Sequence, residues 1–419
     1  MKQTVVIIGA GASGLAAAVM LARENAANRH IIVLEKESRV GRKILATGNG
    51  RCNLTNRHVN QSHYYSDEKR MMNGILQRFD IDQTLQFFES LGIVCMETEK
   101  GRLYPRSFQA SAVLDTLREA CMLLQVDIRV DARVVKIEKK KNEYDIMIEN
   151  QEKLVADAVL VACGGKASPK LGSDGSGLAI MKALGFACSP VYPVMVQICT
   201  ETNRIQSLKG IKFEGQASLW HKNERVASES GEILFTEYGL SGLPIFQLSI
   251  CAGEYWRRNP KAALEIRLDF LPEMDSDALL MHLIMRMSYL AERDLQSYFA
   301  GLLNKRIGLA VLKAANVQPL SRKIVSMGQK ELNALVDQCK AFSLLAKGNR
   351  PFDQAQVTAG GIRLNEFDAN LQSKRLPGLF AAGELLDVHG DCGGYNLQWA
   401  WSSAAAAVQG LTQYLSAQK

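Results

Sequence analysis

The chain opens on a β-branched apolar run, Thr4-Val-Val-Ile-Ile8, then three glycines at fixed spacing, then an Ala/Leu-rich stretch from about Ser13 to Asn25. An apolar run that short and continuous suits a strand buried on both faces. A second run, His30 to Leu34, ends in Glu35. Strand, turn, helix, strand is the predicted order. From Tyr64 to Gly92 the apolar positions Ile75, Phe79, Ile81, Leu85, Phe88 and Leu91 predict helix. Ile93–Glu97 and Arg102–Tyr104 read as a hairpin about Glu99-Lys-Gly101, and a helix is predicted from about Gln109 to Leu124. Strand-like runs follow at Asp127–Val130, Val134–Lys139, Tyr144–Ile148 and Ala158–Ala162, the last leaving through Cys163-Gly164-Gly165.

Pro190 and Pro193 mark a change of texture. Beyond them the pattern is β-rich at Val194–Cys199, Gln216–His221, Glu232–Thr236 and Ala263–Leu268. Asp275 can cap a helix-rich stretch reaching about Val317, with Leu279, Leu280, Leu283, Ile284, Met287 and Leu290 as a core face. After Arg350-Pro351 the α/β character returns in Val357–Ile362, Leu379–Glu384 and an Ala-rich helix from about Leu397 to Leu415.

Gln3 to Ala22 carries no charge and mimics a signal peptide or a membrane span. The glycines that interrupt it argue for strand, turn and helix instead, so neither a targeting nor an anchoring segment is expected. With 419 residues, 47% hydrophobic and 22% charged, the chain reads as a globular protein of two or three domains. A net charge of +7 favours anionic ligands without arguing for nucleic acid. No C-x-x-C occurs among the nine cysteines, and no H-E-x-x-H among the six histidines, so redox-dithiol and metal motifs are missing. Unpaired cysteines fit a cytoplasmic location.

Gly9-Ala-Gly11-Ala12-Ser13-Gly14 carries the chemistry of the N-terminus. Gly9 makes the tight turn, Gly11 lets the backbone approach a pyrophosphate, and Gly14 lets the helix pack on the sheet. The helix N-terminus offers free N–H groups and a partial positive charge to phosphates. Glu35, followed by Lys36, can accept hydrogen bonds from ribose hydroxyls and disfavours a 2′-phosphate. The fingerprint alone does not separate NAD from FAD. Val40 to Asn56 is rich in turn formers and basic residues, unlike a simple crossover helix, and suits a longer phosphate-and-ring ligand. Gly172-Ser-Asp-Gly-Ser-Gly177 has the wrong spacing for a second fingerprint. A glycine pair, Gly393-Gly394, again opens a helix.

Taken together, Gly9–Gly14, Glu35, Gly41-Arg-Lys with Thr47–Asn53, Gly239-Leu-Ser-Gly242, Thr358-Ala-Gly-Gly361 and Gly383–Gly390 with Gly393–Ser403 resemble the aminoacetone-oxidase-like (YhiN/BaiN-like) family of FAD-dependent oxidoreductases. The resemblance spans nearly the whole chain. It implies an α/β fold of the two-dinucleotide-binding-domains flavoprotein type. A Rossmann-like FAD domain would come from residues 1–190 and 353–419, with a β-barrel-like substrate domain, 191–272 and 319–352, and a helical subdomain, 273–318, inserted. FAD would be bound non-covalently. Gly9, Gly11 and Gly14 would hold the pyrophosphate and Glu35 the adenosine ribose. Arg42 and Lys43 would lie near the phosphates or the ring. Thr47 would contact the cofactor, and Gly48, Asn49, Gly50, Arg51, Cys52 and Asn53 would run along the flavin. Val134 would touch adenine through its backbone. Cys163, Gly164 and Gly165 would form a further cofactor-side turn. Gly383, Glu384 and Asp387 would sit near the ribityl chain and phosphates, and Gly393, Gly394, Tyr395, Asn396 and Leu397 at the pyrimidine side. Cys163 stands where the family usually has Thr, His389 where Asp or Asn is common, and Ala404 where Gly is common. Physically, N–H groups of a helix N-terminus aimed at N1 and O2 would stabilise the charge of reduced flavin.

Lys43 or Arg51 is a candidate to steer N5 or O4, and Tyr395 and His389 are candidate proton donors; the plain alternative for His389 is a solvent-exposed loop histidine. Cys52 and Cys392 are expected to be unpaired structural thiols. The leading expectation is hydride transfer between FAD and a small organic substrate. The resemblance implies two chemistries: reduction of a conjugated C=C in a bile-acid-like or ketosteroid substrate with NAD(P)H as donor, and oxygen-dependent amine oxidation. An RNA-modifying flavoprotein is the second class; Lys139-Lys-Lys141 is too short for a basic tract with interleaved aromatics, so nucleic acid is not expected as a partner. A flavin-binding sensor without turnover is the third. No membrane partner is expected.

Overall fold

The β-branched run at the N-terminus forms the middle of a parallel sheet. In the computed structural model, which describes residues 2–25, 29–149 and 152–418, Gln3–Ile8 lies between Ala158–Val161 and Arg29–Leu34, with Val5 opposite Ala158 on one side and Ile31 on the other. The full order is Leu379–Ala381, Ala158–Val161, Gln3–Ile8, Arg29–Leu34, Asp127–Arg129. Val5, Val6 and Ile7 are fully buried, as a strand covered on both faces demands. The first helix, Ala12–Asn25, packs against the last, Tyr395–Ala417. Thus the start and the end of the chain share one Rossmann-like α/β core.

The chain divides into two compact units, Met1–Tyr192 with Gln356–Lys419, and Pro193–Ala355. The second unit contains a closed barrel in the order Ile198–Thr200, Gly239–Ser241, Glu224–Phe235, Lys212–His221, Leu264–Asp269, Phe342–Asn349. Leu264, Ile266 and Leu268 alternate inward, fully buried, which is the period-two pattern of a strand with one apolar face. Helices Leu243–Arg258, Ser276–Tyr289, Lys305–Ala314 and Gln329–Lys340 share one apolar core with it.

Three elements differ from the sequence expectation. Tyr64–Gly92 is a two-residue strand, Tyr64–Tyr65, followed by two helices, Lys69–Arg78 and Ile81–Glu89. Asp80 breaks the run because its carboxylate accepts from the Asp82 and Gln83 amides while Gln83 reaches back, a capping box. Leu243–Arg258, inside the stretch expected to be β-rich, is helical and starts with Pro244 in its first turn, where proline is tolerated. Gln329–Lys340 is also helical; its buried Leu332, Leu335, Val336 and Cys339 carry a clear helical period. No helix among the described residues is long and apolar enough to cross a membrane.

Candidate functional site

Each of the three N-terminal glycines meets a different physical demand. Gly9 has φ of +103°, its N–H donates to the Leu34 carbonyl at 2.8 Å, and a Cβ there would lie 2.6 Å from the Ala162 carbonyl oxygen. At Gly14 a Cβ would fall 1.9 Å from the Gly9 oxygen, so the helix can approach the turn only without a side chain. Around Gly11 nothing lies within 4 Å of the same position. The first two glycines are therefore demanded by the protein's own packing, and the third leaves space beside the helix N-terminus. Ala12 begins the helix, and buried Ser13 lies against Gly383, whose Cβ would meet the Ser13 hydroxyl at 2.5 Å.

Glu35 closes this cradle. Its carboxylate accepts from the Ala10 N–H at 2.9 Å and the Glu37 N–H at 3.0 Å. Its carbonyl accepts from Ala132, two residues before buried Val134. Lys36 pairs with Asp174 at 2.5 Å. Burial pushes the Asp174 carboxyl up, but Lys36 and the Ser176 hydroxyl and amide outweigh it and hold it well below the usual range.

Across the cradle, Glu384 ties several segments together. It receives Lys43 Nζ at 2.6 Å on one oxygen and the Thr358 N–H at 2.7 Å on the other. Thr358 in turn accepts from the Lys166 and Ala167 amides, close above Gly165, where a Cβ would strike its hydroxyl at 2.4 Å. Gly164 lies beside Ser173. Arg42 pairs with Glu37. Thr47 to Arg51 form a short exposed turn containing Gly48, Asn49 and Gly50 at positive φ, and Arg51 projects on the exposed side of it. Cys52 then turns inward and is fully buried. Burial pushes the Cys52 thiol up to about 12, and burial does the same for Cys163. None of the nine cysteines is in a disulfide, Cys52 and Cys392 included. The Asp387 N–H donates to the Ile362 carbonyl at 2.8 Å.

The turn before the last helix is held from the opposite end of the chain. Asn56 Nδ2 donates to the Gly393 carbonyl at 2.8 Å. Gly394, with φ of +101°, sits so close to residues 53–55 that a Cβ would be 2.5 Å from the Thr55 oxygen and 3.0 Å from Asn53 Oδ1. That Asn53 oxygen is buried and has no hydrogen-bond partner. Inside the helix, Gln398 bonds Thr55, Thr84 and Ser402 in a buried polar network that fixes the first turns. Asn396 clasps Gly390 through both its amide atoms, and Leu397 is partly buried beside it.

His389 and Gly390 pair with Tyr65 and Tyr64 as a short antiparallel ladder. His389 is therefore not a solvent-exposed loop residue: it is 4% exposed, stacked on Tyr65 at 4.9 Å and edge-on to Tyr192 at 6.5 Å. Tyr395 is buried, and its hydroxyl is pushed up to about 12, by burial first and then by Asp391, against Arg102. Four residues here were not singled out in the sequence: His63, Tyr65, Asp391 and Asn56. His63 Nδ1 lies 2.9 Å from Asp391 Oδ2, and Tyr65 donates to Oδ1 at 3.0 Å. No local signal could have paired positions 328 apart. Among the described residues, no group of three or more His, Cys, Asp or Glu could hold a metal ion.

A family model described as the HI0933-like protein Rossmann domain matches residues 3–410. The 3-dehydro-bile acid delta(4,6)-reductase of Clostridium scindens is 36% identical over 407 residues, covering 96% of this chain and 97% of its own. The ribosomal RNA dihydrouridine synthase of Escherichia coli is 27% identical and covers 97% of both chains. Among solved structures, 3-ketosteroid delta1-dehydrogenase from Sterolibacterium denitrificans in complex with 1,4-androstadiene-3,17-dione is similar over 100% of both chains, with a TM-score of 0.51 at 10% identity, a likeness of fold alone.

Proposed function

This chain belongs to the HI0933-like Rossmann family and is an FAD-dependent oxidoreductase; from that premise we propose that it reduces a carbon–carbon double bond conjugated to a carbonyl, in a 3-oxo compound of the bile-acid kind, with NAD(P)H as electron donor. The observation that carries this reading is the 36% identity, over nearly the full length of both chains, to a 3-dehydro-bile acid delta(4,6)-reductase. A second reading, an RNA uridine as substrate, is favoured by the ribosomal RNA dihydrouridine synthases at 27% and 28% identity. Dihydrouridine differs from uridine by two hydrogens across a double bond conjugated to a carbonyl. Both readings thus share one bond change and differ in what carries it.

The residues present fit FAD. Open space at Gly11 beside a helix N-terminus suits a pyrophosphate. The buried, unpartnered Asn53 Oδ1 beside Gly394 suits a ring N–H. Bound FAD supplies hydride chemistry at N5; the protein supplies orientation, electrostatics and access. In this reading Glu35 holds the ribose, with Val134 near the adenine. Glu384 holds Lys43 where the ribityl and phosphate oxygens approach. The N–H groups that open the last helix at Tyr395–Leu397 face the pyrimidine edge and favour negative charge there. Lys43 is thereby a binding residue rather than a proton carrier, because its ammonium is held by a carboxylate.

Anaerobic reduction with NADH or NADPH, followed by one acceptor at a time, tests the reading. A 3-oxo-4,6-diene bile acid should restore the oxidised flavin spectrum and gain two hydrogens by mass. If only an rRNA transcript does so, the second reading holds. Reoxidation by oxygen with aminoacetone as reductant, and by neither alkene, would overturn both.

A further inference from the structure

We propose that His63 and Asp391 form the acid–base pair of this site, with His63 the proton donor to the substrate carbon and Asp391 its positioning residue. The proposal rests on the reading that the turn at Gly393–Tyr395 faces the flavin ring. Four observations carry it. The Asp391 carboxylate takes the His63 Nδ1–H at 2.9 Å, which fixes the tautomer and leaves Nε2 to exchange a proton. The same carboxylate is fixed on its other oxygen by the Tyr65 hydroxyl at 3.0 Å, and its backbone N–H donates to the His63 carbonyl at 2.9 Å. The imidazole stacks on the Tyr395 ring at 4.5 Å and 20°, so it is held at the residue that opens the last helix. The His63 side chain is 31% exposed, against 15% for Asp391: the imidazole is reachable while the carboxylate is covered.

His389, the histidine expected from sequence, is enclosed between two tyrosines, and the Tyr395 hydroxyl is pushed up to about 12. His63 is the better placed donor of the three. Bound FAD, once reduced with two electrons from NAD(P)H or dithionite, would supply the hydride for the β-carbon of the conjugated double bond. The π pair of that bond moves to the α-carbon and takes the Nε2 proton of His63. The two electrons would leave the bound cofactor oxidised, and His63 would regain its proton from solvent.

The test uses the full-length flavoprotein, reduced anaerobically with dithionite and then mixed with a 3-oxo-4,6-diene bile acid or, separately, an rRNA transcript. H63Q should keep the parent's flavin content and its reduction by dithionite. It should be reoxidised by the alkene at least about 100-fold more slowly, the lower end of what a positioned general acid contributes. The loss should fall on kcat rather than KM, and imidazole should restore part of the rate to H63G. H63Q should abolish the alkaline limb of the pH–rate profile, and D391N should lower kcat several-fold while leaving KM and flavin content unchanged. Of the titratable and charged groups here, Asp391 and Tyr395 touch this imidazole, Tyr65 bonds the Asp391 carboxylate, and Tyr64 and Arg102 act on Tyr395. Should H63Q lose flavin, Y65F, which removes one hydroxyl, should still slow the alkene step several-fold. If the parent is reoxidised and H63Q or Y65F matches it in rate and pH profile, the pair is overturned while the reading stands. If the parent is reoxidised by neither alkene, the reading falls and the pair with it.

Discussion

The two ends of the proposed FAD site are built on opposite plans. The nucleotide end is one contiguous stretch, Gly9 to Glu35, in which turn, helix and acid follow one another along the chain. The ring end is a meeting of Asn53–Asn56, His63–Tyr65 and His389–Gln398, joined by bonds such as Asn56 to Gly393 across 337 positions. Local geometry can be written as a motif. A surface made by distant segments has no such signature, although its residues are as firmly held. The glycines differ in the same way. Gly9 and Gly14 are required by the protein's own packing, Gly11 faces open space, and Gly394 is pressed on by a backbone carbonyl brought from the far end of the chain.

The sharpest test of this contrast pairs two neighbouring glycines. Gly14→Ala places a Cβ against a carbonyl that cannot move aside, so the protein should melt far below the parent and retain no flavin, over-packing costing about 1–3 kcal/mol or more. Gly11→Ala should leave the apoprotein's stability within about 0.5 kcal/mol of the parent while weakening FAD binding. Thermal melts of the apoproteins with FAD titrations measure both; full affinity in Gly11→Ala would move the pyrophosphate elsewhere.

At the ring end, Gly394→Val combines a backbone clash with a positive φ, which costs about 1–3 kcal/mol. Flavin should be lost, or held with a lower reduction potential because the aimed N–H groups are displaced. A variant with full flavin and the parent's potential would detach the last helix from the ring. At the nucleotide end, Glu35→Ala should weaken FAD by roughly 10- to 150-fold, the equivalent of about 1.5–3 kcal/mol for a hydrogen bond to a charged group. Extensive dialysis measures it, and Glu35→Gln should do less harm.

The smallest effect concerns two buried thiols. Cys52 and Cys163 are each pushed up to about 12 by burial, so neither should react with iodoacetamide in the native protein at neutral pH. Their folded values lie above the value of about 8.5 for an unfolded thiol. The stability they contribute is then complete below that pH and is lost as pH climbs toward 12. Alkaline unfolding that begins only with both thiols already alkylated would contradict this.

The first strand, the helix, the second strand and Glu35 were legible because each rests on neighbours in sequence: apolar period, glycine spacing and a terminal acid. The same reasoning missed the break at Asp80, where a side chain competes for helix N–H groups inside an otherwise helical pattern. It also missed Leu243–Arg258, whose apolar run is ambiguous between strand and helix until the barrel is seen beside it. His389 shows the limit most clearly. As a residue it promises chemistry, yet pairing with Tyr65 seals it. His63 promised nothing, yet Asp391 orients it.

The amino-acid sequence by itself determined the strand–turn–helix–strand unit at the N-terminus and the class of ligand, because backbone conformation and periodicity are local properties of a few neighbouring residues. Only the tertiary structure decided that Glu384 holds Lys43, that Asn53 lies orphaned beside Gly394, and that an imidazole and a carboxylate meet at the last helix. Those arrangements depend on which distant segments the sheet and the final helix bring together, and hydrogen bonds between them leave no trace in the spacing of residues along the chain.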